Sequence, residues 1–480
     1  MSKDVDVTNF MKFTQDETIK IADSINELLS EVEYKGAKLN LFLGDFIYLQ
    51  VILKRFGESS QEKKHYFQKL SYLSRFLARG IKNRKSNHSK VNLHDKILFT
   101  LTSTKEYCTS LVFPVATKFK GEQLAFVGRD GSIVIKLPEG SSYFTFSNFF
   151  SNQCALKWLD EINKIWERVN VSISIICDRY SLGKDFYSDL LDKLMTATQY
   201  YESCLSVFKK SKPKAVVTEY DRNFHNSILV SAANYFNIPT YTFIHGTIND
   251  RNAYFPFLAN KIFCWGENQF NTIKNWGVSE EFIIIAGNQK IKVSSNDKNK
   301  KESLKIKFEF NNKPLVTLTP NPVGISDRRQ FVEGFCKSAE MDKNSNYEFC
   351  IKLHPSDTKD NYNDLLIMHP RVKIFDSDEI TFNEMMDITD IFVIHNSSIG
   401  VESLMFGKRV IVLDIIDVPL YNVSELVNNN LVEVAKSPEE LFVKLSNESN
   451  VDRERMKSFL KKYYCRTNGE AAEFIASHIN

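Results

Sequence analysis

Two series of short apolar runs, each run bounded by polar or helix-like stretches, constrain this chain more than any other feature. The first reads KILFTLT (96–102), QLAFVG (123–128), SISIICD (172–178), AVVTEYD (215–221), TYTFIHG (240–246), KIFCWG (261–266) and FIIIAG (282–287). The second reads PLVTLTP (314–320), YEFCIKLHP (347–355), RVKIFDS (371–377), DIFVIHNSS (390–398) and RVIVLDI (409–415). Apolar runs without alternation belong to strands buried on both faces, and strands alternating with helices make parallel, doubly wound sheets. Between the series lies NQKIKVSSNDKNKKESLK (288–305), polar and lysine-rich, which reads as a linker. The expected fold is α/β, with two Rossmann-like doubly wound domains, 93–289 and 290–480, facing a cleft. Residues 1–92 are expected to form a helical, basic extension. A length of 480 residues suits two or three domains.

The extension carries its charge late. Within 54–90, Lys63, Lys64, Arg75, Arg79, Lys82 and Arg84 are among many basic residues that face only Glu58 and Glu62. FQKLSYLSRFLARGIKNRK (67–85) places Phe67, Leu70, Leu73, Leu77 and Ile81 at helical spacing. Such a helix either lies on an anionic membrane or turns its apolar face to the core. Over the whole chain the formal charge is only +3, which gives no reason to expect nucleic acid as a partner. The N-terminus lacks the apolar segment of a secretory signal, so a cytoplasmic location is expected, at most against the inner face of a membrane. The eight cysteines contain no C-x-x-C pair, which speaks against a zinc site or a disulfide framework.

Candidate chemistry falls at strand ends, where ligands of open α/β sheets sit. In LHP, His354 can donate to a phosphate oxygen or protonate a leaving group, or it can simply cap a turn. In HNSSIG, Ser397 and Ser398 can offer hydroxyls and amides to an anion where a helix begins. Glu402, one helical turn beyond Ser398, can face the same cavity and grip ribose hydroxyls, while Gly400 and Gly407 allow close packing. Pro320, Pro355 and Asn396 join this nucleotide-binding set. Facing the cleft from the first domain, Glu219 or Asp221 in TEYDRN is a candidate general base, and His245 in FIHG is another candidate, with Gly246 beside it. Asp376-Ser377-Asp378 matches a short metal-binding pattern, but no metal and no cofactor are expected. Neither G-x-G-x-x-G, a Walker loop nor G-x-S-x-G occurs.

Taken in order, IPTYTFIHG, ANKIFCWGENQFNTIKNWGVSEEFIIIAGNQ, IKLHP and HNSSIGVESLMFGKRVIVL resemble a GT-B glycosyltransferase of bacterial surface-polysaccharide synthesis. The HP and SS elements are similar to those of bacterial sialyltransferases, polysialyltransferases and capsule Kdo transferases. In those families they hold the phosphate of a CMP-sugar, which implies that role for His354, Ser397 and Ser398. The IHG element also resembles the histidine–glycine of CDP-glycerol polyol-phosphate transferases, which implies a catalytic His245. The resemblance covers roughly 210–475 and does not reach residues 1–95. It implies a nucleotide-sugar donor, CMP-linked in the first case, and a glycan or glycolipid acceptor. The alternatives are a CDP-polyol phosphotransferase, other users of the same architecture such as a nucleotide-sugar epimerase or a pyruvyl transferase, and a non-catalytic nucleotide- or glycan-binding subunit.

Overall fold

The computed structural model describes residues 17–43, 45–48, 50–51, 91–103, 106–129, 136–149, 152–248, 251–291, 298–320, 325–354, 357–420, 423–466 and 469–479. The basic stretch 54–90 and Pro355 lie outside them. Among the described residues the long strands form two parallel sheets. Preceding them is a hairpin of β1 (Glu33–Tyr34) and β2 (Ala37–Lys38). The first sheet contains β3 (Ile97–Leu101), β4 (Leu124–Gly128), β5 (Ser142–Thr145), β6 (Ala215–Thr218), β7 (Thr240–Phe243), β8 (Lys261–Cys264) and β9 (Ile283–Ile285), in the order 5-4-3-6-7-8-9. The second contains β10 (Leu315–Thr319), β11 (Glu348–Lys352), β12 (Val372–Phe375), β13 (Ile391–Ile394), β14 (Arg409–Leu413) and β15 (Glu433–Ala435), in the order 12-11-10-13-14-15. Winding direction therefore reverses between β3 and β6 in one sheet and between β10 and β13 in the other. Crevices at the carboxyl ends of such strand pairs are where ligands sit in this architecture.

Burial explains the apolar runs. Every residue of β3, β4, β6, β10 and β13 is buried, as helices on both faces require. The N-terminal helix Glu17–Ser30 turns Ile21, Ala22, Ile25 and Leu29 into the same core as Ala125, Val127 and Val216 of the first sheet. Among the described residues no helix is long and apolar enough to cross a membrane.

Three expectations differ from the structure. SISIICD is not a strand but the end of a helix, Asn152–Arg179, that packs along its neighbour Gly183–Lys210. Val169, Ile173 and Cys177 recur every fourth residue and are buried, while Val171 and Ile175 point to solvent, so the helical period governs. The lysine-rich 288–305 is not all linker, because Lys298–Lys307 is a helix. In it the stem of Lys305 is buried while its ammonium lies 3.8 Å from Asp390. The edge strands β5 and β15 were not expected; they are short and half-buried, without an apolar run.

The chain passes between the units twice, side by side. Residues 286–291 lead out of β9, and after the helix Arg453–Tyr463 residues 464–466 return. Here Cys465 N donates to Trp265 O (3.2 Å) and an Arg466 guanidinium N–H to Ile285 O (2.9 Å). Gly287 has φ +86°, and a Cβ there would meet Arg466 and Ala471 at 3.0 and 3.1 Å, so glycine is required. The last helix, Ala471–His478, then packs on the first unit, sharing a core with Leu111, Val112 and Val115.

Candidate active site

On the first unit, the residues after β6 lie at the point where winding reverses. Glu219 is sealed there: its carboxylate accepts from the hydroxyls of Thr100 and Thr102 and from Thr102 N at 2.8 Å. Asp221 is also sealed. Its Oδ2 accepts from Leu258 N (2.7 Å) and Ala259 N (3.0 Å), and burial raises its pKa against the pull of those amides. Both carboxylates are thus spent on backbone and hydroxyl donors, and neither opens to the cleft.

His245 differs. It follows β7 and its surface is exposed, while two tyrosines pack against its ring. Tyr254 stacks on it at 5.1 Å between ring centroids, Tyr220 meets it edge-on at 5.0 Å, and Tyr254 OH lies 3.4 Å from Nε2. Crowding by protein, followed by the nearby Lys290 ammonium, holds its pKa below the ordinary imidazole value. The ring is therefore neutral at neutral pH and has a lone pair to take a proton.

On the second unit, Thr319 and Pro320 end β10 and are both buried. His354, half-buried, follows β11, and its carbonyl accepts from Asp357 N at 2.9 Å. Asp357 ties this loop down: it pairs with the Arg328 guanidinium at 3.0 Å and accepts from Tyr362 OH (2.6 Å) and Asn361 Nδ2 (2.8 Å). Two polar atoms at this edge, Thr319 Oγ1 and Arg328 Nε, are buried without a hydrogen-bond partner among the described residues. Orphaned donors at the carboxyl end of a parallel sheet, where ligands of this architecture sit, fit an anion better than a closed core.

At the end of β13, His395 and Asn396 are buried and turned away from the cleft. His395 Nε2 lies 2.9 Å from Val418 O and Nδ1 3.2 Å from Leu413 O, and Asn396 Nδ2 donates to Pro419 O (3.1 Å). Their side chains hold the segment after β14 in place. Ser397 and Ser398 are half-buried at the mouth, and Ser397 Oγ accepts from Ile399 N at 3.3 Å. The helix that follows, Ile399–Met405, is only seven residues long. Gly400 is there for packing, since a Cβ would come within 2.4 Å of Ile394 Cδ1; Gly407 instead ends the helix at φ +69°.

Glu402 reaches across the units. Asn288 Nδ2 donates to its Oε1 at 3.3 Å, and Lys290 Nζ stands 3.8 Å from the same oxygen. Lys290 Nζ also donates to His245 O at 2.6 Å and lies 5.7 Å over the ring of Trp265. One lysine thus ties the His245 loop to the first turn after the paired serines. Burial raises the pKa of Glu402, and Lys290 and Asn288 oppose that. Nothing in the sequence pattern singled out Lys290, Arg328 or Thr319. The nearest signal was position, because Lys290 and Arg328 follow β-rich runs and Thr319 ends one. Among the described residues no group of three or more His, Cys, Asp or Glu is placed to hold a metal, and Asp376 Oδ1 accepts from Lys359 N instead.

No family model matches the chain, and neither does any curated protein sequence. Among solved structures, the wall teichoic acid polymerase TagF, a histidine-to-asparagine variant soaked with CDPG, superposes with a TM-score of 0.52 at 11% identity, over 88% of this chain and 98% of that one. The fold is GT-B. The UDP-GlcNAc 2-epimerase from Neisseria meningitidis bound to UDP-GlcNAc gives a TM-score of 0.48 at 15% identity, over 80% of this chain and 99% of that one. MnaA of S. aureus with UDP gives 0.49 at 16%, over 80% and 96%.

Proposed function

We propose that this GT-B protein is a glycosyltransferase that moves a sugar from a nucleotide-activated donor to a bacterial surface glycan or glycolipid, and that it needs no metal. The observation that carries the reading is the Lys290 bridge, which sets the open, neutral His245 of one unit beside the Glu402 turn of the other. In this reading His245 takes the proton of an acceptor hydroxyl as its oxygen attacks the anomeric carbon. The bond from that carbon to the phosphate oxygen breaks, and the nucleotide leaves with the electron pair. His354, Ser398 and Ser397 meet the charge that gathers on the departing phosphate. Thr319 and Arg328 add donors at the same edge. Glu219 and Asp221 support the acceptor wall rather than act as its base. The favoured donor is a CMP-linked acidic sugar of the sialic acid or Kdo type.

A second reading is supported by His245 being the candidate base that opens to solvent. A CDP-polyol phosphotransferase would use the same histidine, with attack at phosphorus rather than carbon. Thermal shift against CMP, CDP, UDP and GDP, and against their conjugates, tests both. A ligand at about 100 times its Kd adds roughly 2.7 kcal/mol of stability. Cytidine nucleotides are expected to stabilise most, with EDTA changing nothing. A clear preference for UDP or GDP would retire both cytidine readings. Turnover with any donor excludes a purely binding role.

A further inference from the structure

A polypeptide stretch from before the first sheet reaches the same edge as His245. The helix Leu39–Leu43 packs on Phe224–Tyr235, where Ser227 Oγ donates to Phe42 O at 3.3 Å. Immediately after it, Asp45 N donates to Arg222 O at 3.3 Å, which fixes Asp45 against the loop that follows β6. Lys193 Nζ closes the other side, 5.1 Å over the ring of Phe46 and 3.7 Å over that of Phe224. From Arg222 the contacts run on through its loop neighbour Tyr220, whose ring is 5.0 Å from His245 and 6.2 Å from Tyr254.

The groups sense one another. Burial lifts the Asp45 pKa, while first Arg222 and then Lys193 draw it back. The charge of Asp45 in turn helps to push the Tyr220 hydroxyl up. Asp45 nevertheless keeps part of its surface open, as His245 does. A carboxylate that feels two cations and a tyrosine, with a neutral histidine on the far side of that tyrosine ring, has the chemistry of a sugar subsite. Hydroxyls donate to the carboxylate and the C–H face of the ring lies on the aromatic.

We propose that Asp45 binds a hydroxyl of a saccharide acceptor, so that the N-terminal segment builds the acceptor subsite beside His245. This rests on the glycosyltransferase reading. Asp45 positions the acceptor, and His245 takes the proton.

The test uses the full-length protein, saturated with CMP, on an array of bacterial surface oligosaccharides, with CMP and CDP thermal shifts run in parallel. Asp45→Asn keeps the shape and removes the charge. It is expected to weaken binding of whichever oligosaccharide the wild type selects by roughly tenfold or more, as loss of a bond to a charged group does. Unchanged nucleotide shifts in the same variant show that it is folded, and Asp45→Ala should bind the oligosaccharide no better. An Asp45→Asn protein that binds as the wild type does overturns the proposal and leaves the nucleotide reading intact. A wild type that selects no oligosaccharide overturns it too. Saccharide binding lost in Asp45→Asn, with a circular-dichroism melting curve matching the wild type's, in a protein that no nucleotide stabilises, upholds the subsite and sinks the transferase reading.

Discussion

Replacing Lys290 by Met keeps most of the stem and removes the charge that joins the two units. Lys290 and Glu402 have side chains only 14% and 5% exposed, so the change leaves a carboxylate buried without its cation. Breaking a buried pair typically costs 3–5 kcal/mol. The 3.8 Å separation and the surviving Asn288 bond place this case at the lower end, about 3 kcal/mol at pH 8. The cost must depend on pH. Burial already raises the folded-state pKa of Glu402 above its unfolded value, and loss of Lys290 raises it further. A group with a raised folded pKa contributes stability that is fully present below its unfolded pKa and lost as pH rises through the folded one. The penalty is therefore largest at pH 8 and shrinks towards pH 5 as Glu402 takes up a proton. At about 2–4 °C per kcal/mol for a unit of this size, the melting temperature should fall by roughly 6–12 °C at pH 8 and much less at pH 5. Adding Glu402→Gln to the variant should recover most of the loss at pH 8. Melting curves followed by circular dichroism from pH 5 to 8 give the answer. An equal loss at both ends of that range, or no recovery in the double variant, refutes the reasoning.

The same Lys290→Met protein should show the His245 imidazole titrating at higher pH than in the wild type, read from its ring Cε1–H resonance, because a neighbouring cation is gone. His245→Gln should abolish transfer and leave CMP and CDP thermal shifts unchanged. The wild-type rate should stay flat between about pH 6 and 8 and fall only in acid, since the pKa lies below the ordinary imidazole range. Ser398→Ala should weaken nucleotide binding in calorimetry by roughly 1.5–3 kcal/mol. Ser397→Ala should do less, its hydroxyl being engaged with Ile399 N; His354→Ala should lower kcat more than affinity. Asp221→Ala should cost at least about 3 kcal/mol of stability through its two amide partners, with any lost activity following the lost fold.

What the sequence showed was set by how local the signal was. Strands buried on both faces, such as ILFTL and IFVI, announce themselves because burial forces every position to be apolar or small. SISIICD had the same composition and a different fate: its helix begins at Asn152, and twenty residues of preceding helix outweigh a run of β-branched side chains. Helix caps are just as local: Ser437, Pro438 and Glu440 put cap chemistry within four residues, and Ser437 Oγ accepts from Glu440 N at 3.1 Å. Sites are less local. His245 and Ser398 were visible as strand-end residues, but whether a carboxylate opens to the cleft depends on partners far away in sequence. Glu219 is closed by Thr100 and Thr102, and Asp221 by Leu258 and Ala259. Lys290 joins residues 45 and 112 positions away and carries no motif of its own.

The paired crossings at 286–291 and 464–466 make the second unit an insertion, entered from β9 and left towards the last helix on the first unit. One tether leaves a body free to swivel about any axis through it. Two adjacent tethers define a line, and turning about that line is the rigid-body motion that bends both least. Glu402 sits beside that line, held by Asn288 and Lys290 from the first crossing. A small rotation there moves the far rims of the cleft much farther than it moves the lysine bridge, so the cleft can widen while the bridge keeps its register.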